Sequence, residues 1–159
     1  MSGPNSPNTQ GIYNELQTMM QGAKLSDGVT NTYANVFLAA VPDYTDALPC
    51  CVIILRTGDS KRRAFGGKII EHLEIEIRSV VTNTTDHNTQ EQAIVAIRDS
   101  IIPIFQQHAN LNNTVNVYDV ALKPGSEVYN WMNVDGDWYR IHQCIVVVAQ
   151  EYTISTGII

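Results

Sequence analysis

The spacing of apolar positions changes along the chain, and each change predicts an element. Ile12, Leu16, Met19 and Met20 fall at i, i+4, i+7 and i+8, which is one face of a helix. Asn8 or Thr9 can cap that helix, and Gly22 is a plausible stop. Ser26-Asp27-Gly28 is a turn. Residues 29–40 fit two readings. Val29, Tyr33, Val36 and Phe37 suit a helix, whereas Tyr33 to Leu38 suit a short strand. Pro42 and Pro49 bracket a loop over residues 43–48. Residues 50–56, C-C-V-I-I-L-R, form an apolar run directly after a proline and predict a buried strand. Residues 58–67 read as a hairpin tip or arm. Alternation then becomes clear: Ile69, Leu73, Ile75 and Ile77 point one way, and His72, Glu74, Glu76 and Arg78 the other. This strand has one core face and one polar, doubly acidic face.

Residues 80–87 read as a loop. Asn88 with Glu91, or Thr89 with Gln92, supplies a capping box for a second helix. Ile94, Val95, Ile97, Ile101, Ile102 and Phe105 give that helix a broad apolar stripe. Pro103 removes a backbone donor inside it, so a kink or a restart is expected. Val115, Val117 and Val120 predict a strand, and Lys123-Pro124-Gly125 a turn. Residues 128–134 pair with the start of the last strand across Asp135-Gly136, a strong hairpin signal. The last strand runs over residues 138–152. Its middle, Ile145 to Ala149, is apolar on both faces, which predicts a central strand covered on both sides. The class is therefore α+β: an antiparallel-rich (mixed) sheet with helices packed mainly on one face, a hairpin arm and a single domain. That domain spans residues 10–154, between an N-terminal arm at 1–9 and a C-terminal tail at 155–159.

Composition narrows the function classes. The chain has 159 residues, 44% hydrophobic and 16% charged, so it is globular rather than disordered. Its net charge of -6 argues against a general nucleic-acid binder, which needs excess cations to displace counterions. No apolar run has transmembrane length, and the first residues lack the basic and apolar regions of a signal peptide. Cys50, Cys51 and Cys144, an odd set with two adjacent, do not make a disulfide framework and suit a reduced compartment. Asn83-Thr84-Thr85 and Asn112-Asn113-Thr114 then match the glycosylation pattern by chance.

Candidate chemistry is sparse. His72 with Glu74, and His142 with Cys144, sit two apart on strand faces and could each chelate a metal, but two ligands do not make a site. Asp135 and Asp137 flank a glycine that a tight turn already explains. Glu74 and Glu76 are paired acids of the kind hydrolases use, yet nothing marks a cleft around them, and a solvated or inter-subunit face is the simpler reading. No nucleophile-elbow motif is present, and Cys144 reads as a buried structural thiol. No catalytic residue, metal or cofactor is assigned. Lys61, Arg62 and Arg63 gather three of the ten basic residues in one tip. They read as a basic finger for an acidic protein neighbour rather than for DNA. A two-residue turn at Asp135-Gly136 sets Trp131 opposite Arg140 and Tyr129 opposite His142. The cation–π contact stabilises register by about 0.5–1 kcal/mol. If those faces are not buried within the monomer, they are interface candidates.

Three stretches carry a resemblance to a known family. The first is 35–54, N-V-F-L-A-A-V-P-D-Y-T-D-A-L-P-C-C-V-I-I, a short strand and a Pro-bounded loop leading into a strand. The second is 73–82 followed by the helix from Asn88. The third is 137–154, D-W-Y-R-I-H-Q-C-I-V-V-V-A-Q-E-Y-T-I, a long strand opened by an aromatic-Arg cluster. In this order of elements the chain resembles the tail terminator (tail completion) proteins of long-tailed bacteriophages, over most of residues 10–154. The resemblance implies a strand at Tyr33 to Leu38. It implies a virion protein of tail and neck, without catalysis, that assembles into a homohexameric ring in the host cytoplasm. Such a ring sits on the last ring of tail-tube protein, stops tube growth and presents the surface that docks to the head–tail connector. Genomic DNA passes through its lumen without specific binding, and no membrane is involved. Closed rings need complementary patches on each subunit. One candidate pair sets Lys61, Arg62 and Arg63 against Glu74 and Glu76 of a neighbour. The alternative places the acidic face in the lumen. Reversing Arg62 and Arg63 to Glu separates the two, abolishing rings in the first case only. Other neck components, a small enzyme using the His strand faces, and a ligand- or peptide-binding module are the competing readings.

Overall fold

The computed structural model describes residues 6–38, 48–62, 67–81 and 86–153, and for 59–62 the backbone alone. The elements run α1 (Thr9–Gly22), β1 (Asn35–Leu38), β2 (Cys50–Arg62), β3 (Lys68–Val80), α2 (His87–Gln107), β4 (Val117–Leu122), β5 (Val128–Val134) and β6 (Asp137–Thr153). The strands make one sheet in the order β1-β2-β3-β6-β4, and β5 pairs with the first half of β6. Only β1 and β2 are parallel. β6 is the central strand, pairing with β3 along one side and with β5 and then β4 along the other.

Both helices pack on one face of the sheet. Ile12, Leu16 and Met20 of α1 and Ile94, Ile101 and Phe105 of α2 meet Ile53, Ile75, Ile77, Cys144, Val146 and Val148 in a single core. The opposite face carries a smaller apolar cluster at one end, built from Cys50, Val52, Val80, Tyr139 and Ile141. The middle of β6 is therefore not covered on both sides as its sequence suggested. Ile145 and Val147 are half-buried, because α1 and α2 both pack on the other face. They lie across from Glu76 and Glu74, whose aliphatic stems flank them.

Several boundaries differ from the sequence reading for local reasons. Helix α2 starts one residue before Asn88. Its cap is Asp86, whose carboxylate accepts from the backbone N–H of Asn88 (3.0 Å) and Thr89 (3.4 Å), in place of the expected capping box. Pro103 lies inside one continuous helix, with no restart. Val29 is exposed in a turn that Asp27 closes by accepting from the N–H groups of Val29 and Thr30, both at 2.8 Å. Tyr33 to Leu38 contributes strand β1 rather than helix, beginning at Asn35. Val115 lies before β4 and is exposed. The strand of residues 50–56 continues to Arg62, so residues 58–62 of the expected hairpin tip are strand, and residues 63–66 lie outside the described residues.

The expected N-terminal arm is tied down where it is described. Asn8 is buried. Its N–H donates to Gln150 Oε1 (2.8 Å), its Nδ2 donates to the Val115 carbonyl (2.9 Å), and Asn116 Nδ2 donates to the Ser6 carbonyl (2.8 Å). Gly11 makes room for this anchor, since a Cβ there would meet Asn8 Oδ1 at 2.4 Å. Alanine is the better helix former by about 1 kcal/mol. Gly11→Ala is nonetheless expected to destabilise the protein by about 1 kcal/mol, because the buried Asn8 amide must give up its bond to the Val115 carbonyl. A urea titration of the two proteins checks the sign.

Candidate functional site

Strand β3 presents Glu74, Glu76 and Arg78 to the helix-free face. Glu76 is only 4% exposed, which corrects the reading of a solvated acidic face. A β-bulge between Leu55 and Thr57 shifts the β2–β3 register. It accommodates Arg56, whose Nε donates to Glu76 Oε1 at 2.8 Å. Arg78 Nε donates to Glu76 Oε2 at 2.8 Å, and Gln143 Nε2, on β6, reaches the same oxygen at 3.1 Å. Glu74 accepts from Lys123 Nζ and from Thr57 Oγ1 (2.7 Å). Lys123 first, then Thr57, hold the Glu74 carboxyl below the usual carboxylate range. Both acids thus have cations of their own chain. Of the basic finger, Arg63 and the side chains of Lys61 and Arg62 lie outside the described residues.

This balance yields a stability prediction. Glu76→Ala leaves Arg56 and Arg78 facing each other across a mostly desolvated carboxylate position. Both guanidinium groups retain access to water, so the expected cost is about 2 kcal/mol rather than the 3–5 kcal/mol of a fully buried break. Chemical denaturation at neutral pH measures it.

The β5–β6 hairpin has the register its turn chemistry required. Trp131 pairs with Arg140 and Tyr129 with His142, and Asp135 and Gly136 both take positive φ (53° and 88°). The Arg140 guanidinium lies 5.0 Å from the Trp131 ring centroid. It also donates to the Glu91 carboxylate of α2, at 2.7 and 3.3 Å. His87 packs on Trp131 at 5.1 Å. The helices cover the hairpin only in part, however. Trp131 is 38% exposed and Trp138 51% exposed, and with His87 they line an open cleft of about 350 Å³.

Behind the hairpin lies a polar triad absent from the sequence reading. Arg98 of α2 donates two hydrogen bonds to Glu127, Nε to Oε1 at 2.9 Å and Nη2 to Oε2 at 3.1 Å. The same Glu127 Oε1 lies 3.0 Å from His142 Nε2. Arg98 pulls the Glu127 carboxyl down to about 2. Burial pulls the His142 imidazole below its ordinary 6.5, because its ring has no solvent exposure. His142 Nδ1 is buried and has no hydrogen-bond partner among the described residues. A histidine held by a carboxylate suits a general base, but the hydroxyl of Ser79, its partner on β3, is hydrogen-bonded to Tyr33 Oη at 2.6 Å. Cys144, two residues on, is fully buried, and burial pushes its thiol up to about 12. The triad ties α2 to the hairpin. Only the two ends of this link, Arg98 and His142, stand on regular elements; Glu127 sits between β4 and β5, where no periodicity marks it.

His72 is exposed and Cys144 buried, so the two predicted His pairs do not converge. Among the described residues no group of three or more His, Cys, Asp or Glu side chains could hold a metal ion. A groove of about 640 Å³ runs along the outer face of α2 beside Lys24 and Ser26. It is lined by Glu91, Val95, Ala96 and Asp99 and includes no histidine or cysteine. No helix of the described residues is long and apolar enough to cross a membrane.

The fold is a mixed α+β sheet domain with both helices on one side. No family model matches the chain, and no curated protein matches it. A solved chain from the virion of a native gene transfer agent particle is similar at 13% identity, covering 78% of this chain and 81% of that one, with a TM-score of 0.39.

Proposed function

We propose that this chain is a structural virion protein of the tail terminator kind. It forms a ring on the end of the tail tube, ends tube growth and offers the surface to which the head docks. The observation that carries the reading is the two-sided sheet. One face is sealed by α1 and α2, and the other presents a strip in which Glu74 and Glu76 are matched by Arg56, Arg78 and Lys123. A strip balanced in this way neither grips DNA phosphate nor repels it strongly, which suits the wall of a conduit. The family resemblance of residues 35–54, 73–82 and 137–154 supports the same reading. It accounts for the exposed aromatic hairpin as a surface that meets another subunit. The terminator and a head-closure ring share these features. What separates them is the partner: a terminator caps tube made of tail-tube protein, whereas a closure ring binds the head connector alone.

Mixing the purified protein with each partner and following co-sedimentation tests the choice. The terminator reading predicts binding to tube ends. Binding to the connector with none to tubes assigns the closure role instead.

A further inference from the structure

Three rungs of paired residues cross the sheet from one edge to the other. They are Asn35–Cys50–Val80–Ile141–Asn130, Val36–Cys51–Ser79–His142–Tyr129 and Phe37–Val52–Arg78–Gln143–Val128. Strands β1 and β5 therefore stand at the same height on opposite edges. Their directions follow from the pairings. β1 runs with β2, against β3, with β6 and against β5. A second copy in the same orientation, set beside the first, brings its β1 antiparallel to β5 at matching height.

We infer that β5 of each subunit pairs with β1 of the next, so that one continuous sheet runs around the assembly. The inference rests on the ring reading above and names its contact. Among the described residues neither edge is covered by another strand. β5 reads V-Y-N-W-M-N-V and β1 reads N-V-F-L, without a charge or a proline on either. Exposed uncharged edges of this kind are templates for a further strand. The two-residue turn makes Val134–Asp137 a hydrogen-bonded pair, which turns the N–H groups of Asn130 and Met132 toward β6 and those of Tyr129 and Trp131 outward. Among the described residues β5 pairs only with β6, and β1 only with β2. One β1 carbonyl, that of Val36, also accepts from Gln17 Nε2 at 3.2 Å.

A second observation fits the same neighbour. Tyr129 is 40% exposed on the helix side of the sheet, where α2 meets it through the Arg98 side chain. Val36, on the same rung and face, lies under α1 in the main core. Seating the next β1 beside β5 brings the next α1 toward Tyr129 and Trp131. The dimensions also close. Five strands spaced about 4.8 Å apart span about 24 Å per subunit, so six copies give a backbone diameter of about 46 Å, wider than duplex DNA with side chains included. The helices then lie outside, and the charge-balanced face of Glu74, Glu76, Arg56 and Arg78 lines the lumen.

The test joins the two edges. Asn35 and Asn130 share a rung and are both exposed. Antiparallel partners put their Cβ atoms about 4.5–5.5 Å apart, near enough for a disulfide after a small adjustment. The native cysteines among the described residues are buried. The double variant Asn35→Cys/Asn130→Cys is expected to give a ladder of covalent oligomers on oxidation, up to the closed ring, in a non-reducing gel. Each single variant is expected to give none. Tyr129→Pro removes one outward N–H and is expected to abolish rings in negative-stain images while leaving the far-UV spectrum of the monomer unchanged. Rings without a ladder, or rings that survive Tyr129→Pro, overturn the edge contact and leave the ring reading standing. A protein that stays monomeric by light scattering at every concentration and on tube ends overturns both.

Discussion

Phe105→Ala is expected to destabilise the protein by about 4 kcal/mol, a large part of the 5–15 kcal/mol that holds a domain together. Phe105 is 1% exposed and lies in the last turns of α2, beyond Pro103. Pro103 has already cost this part of the helix one backbone hydrogen bond. The ring of Phe105 thus carries much of what keeps the C-terminal end of α2 on the sheet. Its loss leaves a cavity that the neighbouring Ile101 and Leu111 cannot refill, because both are themselves fully buried. Leu111 is also fixed in a left-handed turn (φ 48°), followed by Asn112 and Asn113 in the same region. Differential scanning calorimetry should show Tm lowered by roughly 10 °C. Val95→Ala, on the exposed side of the same helix, is the control and should change little.

The second large effect is expected at the Arg98–Glu127–His142 triad. Glu127→Ala leaves His142 Nε2 buried without its partner, which costs about 2 kcal/mol at pH 7. The ion pair with Arg98 adds little, since both side chains are one-third exposed. The pH dependence follows from the direction of each shift. Burial lowers the folded-state pKa of His142 below its unfolded 6.5, so the unfolded chain binds the proton more readily. The stability that the neutral ring confers is complete above about 6.5 and is lost as pH falls through the depressed folded value. Glu127 titrates near 2 in place of 4.5, so its contribution is complete above about 4.5 and disappears as pH falls toward 2. Acid unfolding should therefore come in two stages. His142→Phe is expected to flatten the upper stage, where the slope is at most about 1.4 kcal/mol per pH unit, and to leave the lower stage in place. Denaturant midpoints at pH 7, 5.5, 4 and 3 distinguish the two stages. An unchanged slope above pH 4.5 in His142→Phe would contradict the assignment.

How much of this was legible in the sequence depends on the range of the interactions. Local periodicity located α1, through Ile12, Leu16, Met19 and Met20, and the core face of β3, through Leu73, Ile75 and Ile77. The Asp135-Gly136 turn gave the hairpin register, including Trp131 against Arg140, because turn chemistry and pairing are both local there. Where the reading failed, a distant residue decided. Glu76 alternates with apolar neighbours as a solvated acid would. It is buried because Arg56 and Gln143, 20 and 67 positions away, reach it across the sheet. The bulge that places Arg56 leaves no periodic signal. Likewise nothing in S-E-V-Y shows that Glu127 bridges a helix and the central strand. The apolar run Ile145 to Ala149 suggested cover on both sides, but alternation reports burial of side chains and not what buries them. At Ile145 and Val147 the cover is incomplete, and that open face is where the proposed lumen lies.

The central claim, that this chain caps a tail tube, is tested most directly by polymerising the tail-tube protein of the same particle with and without it and measuring tube lengths by electron microscopy. The account predicts that added protein arrests growth, shortens the length distribution in proportion to its concentration, and leaves one ring-shaped cap at a single end of each tube. Tubes that grow to the same lengths in its presence, with no density at either end, would contradict it.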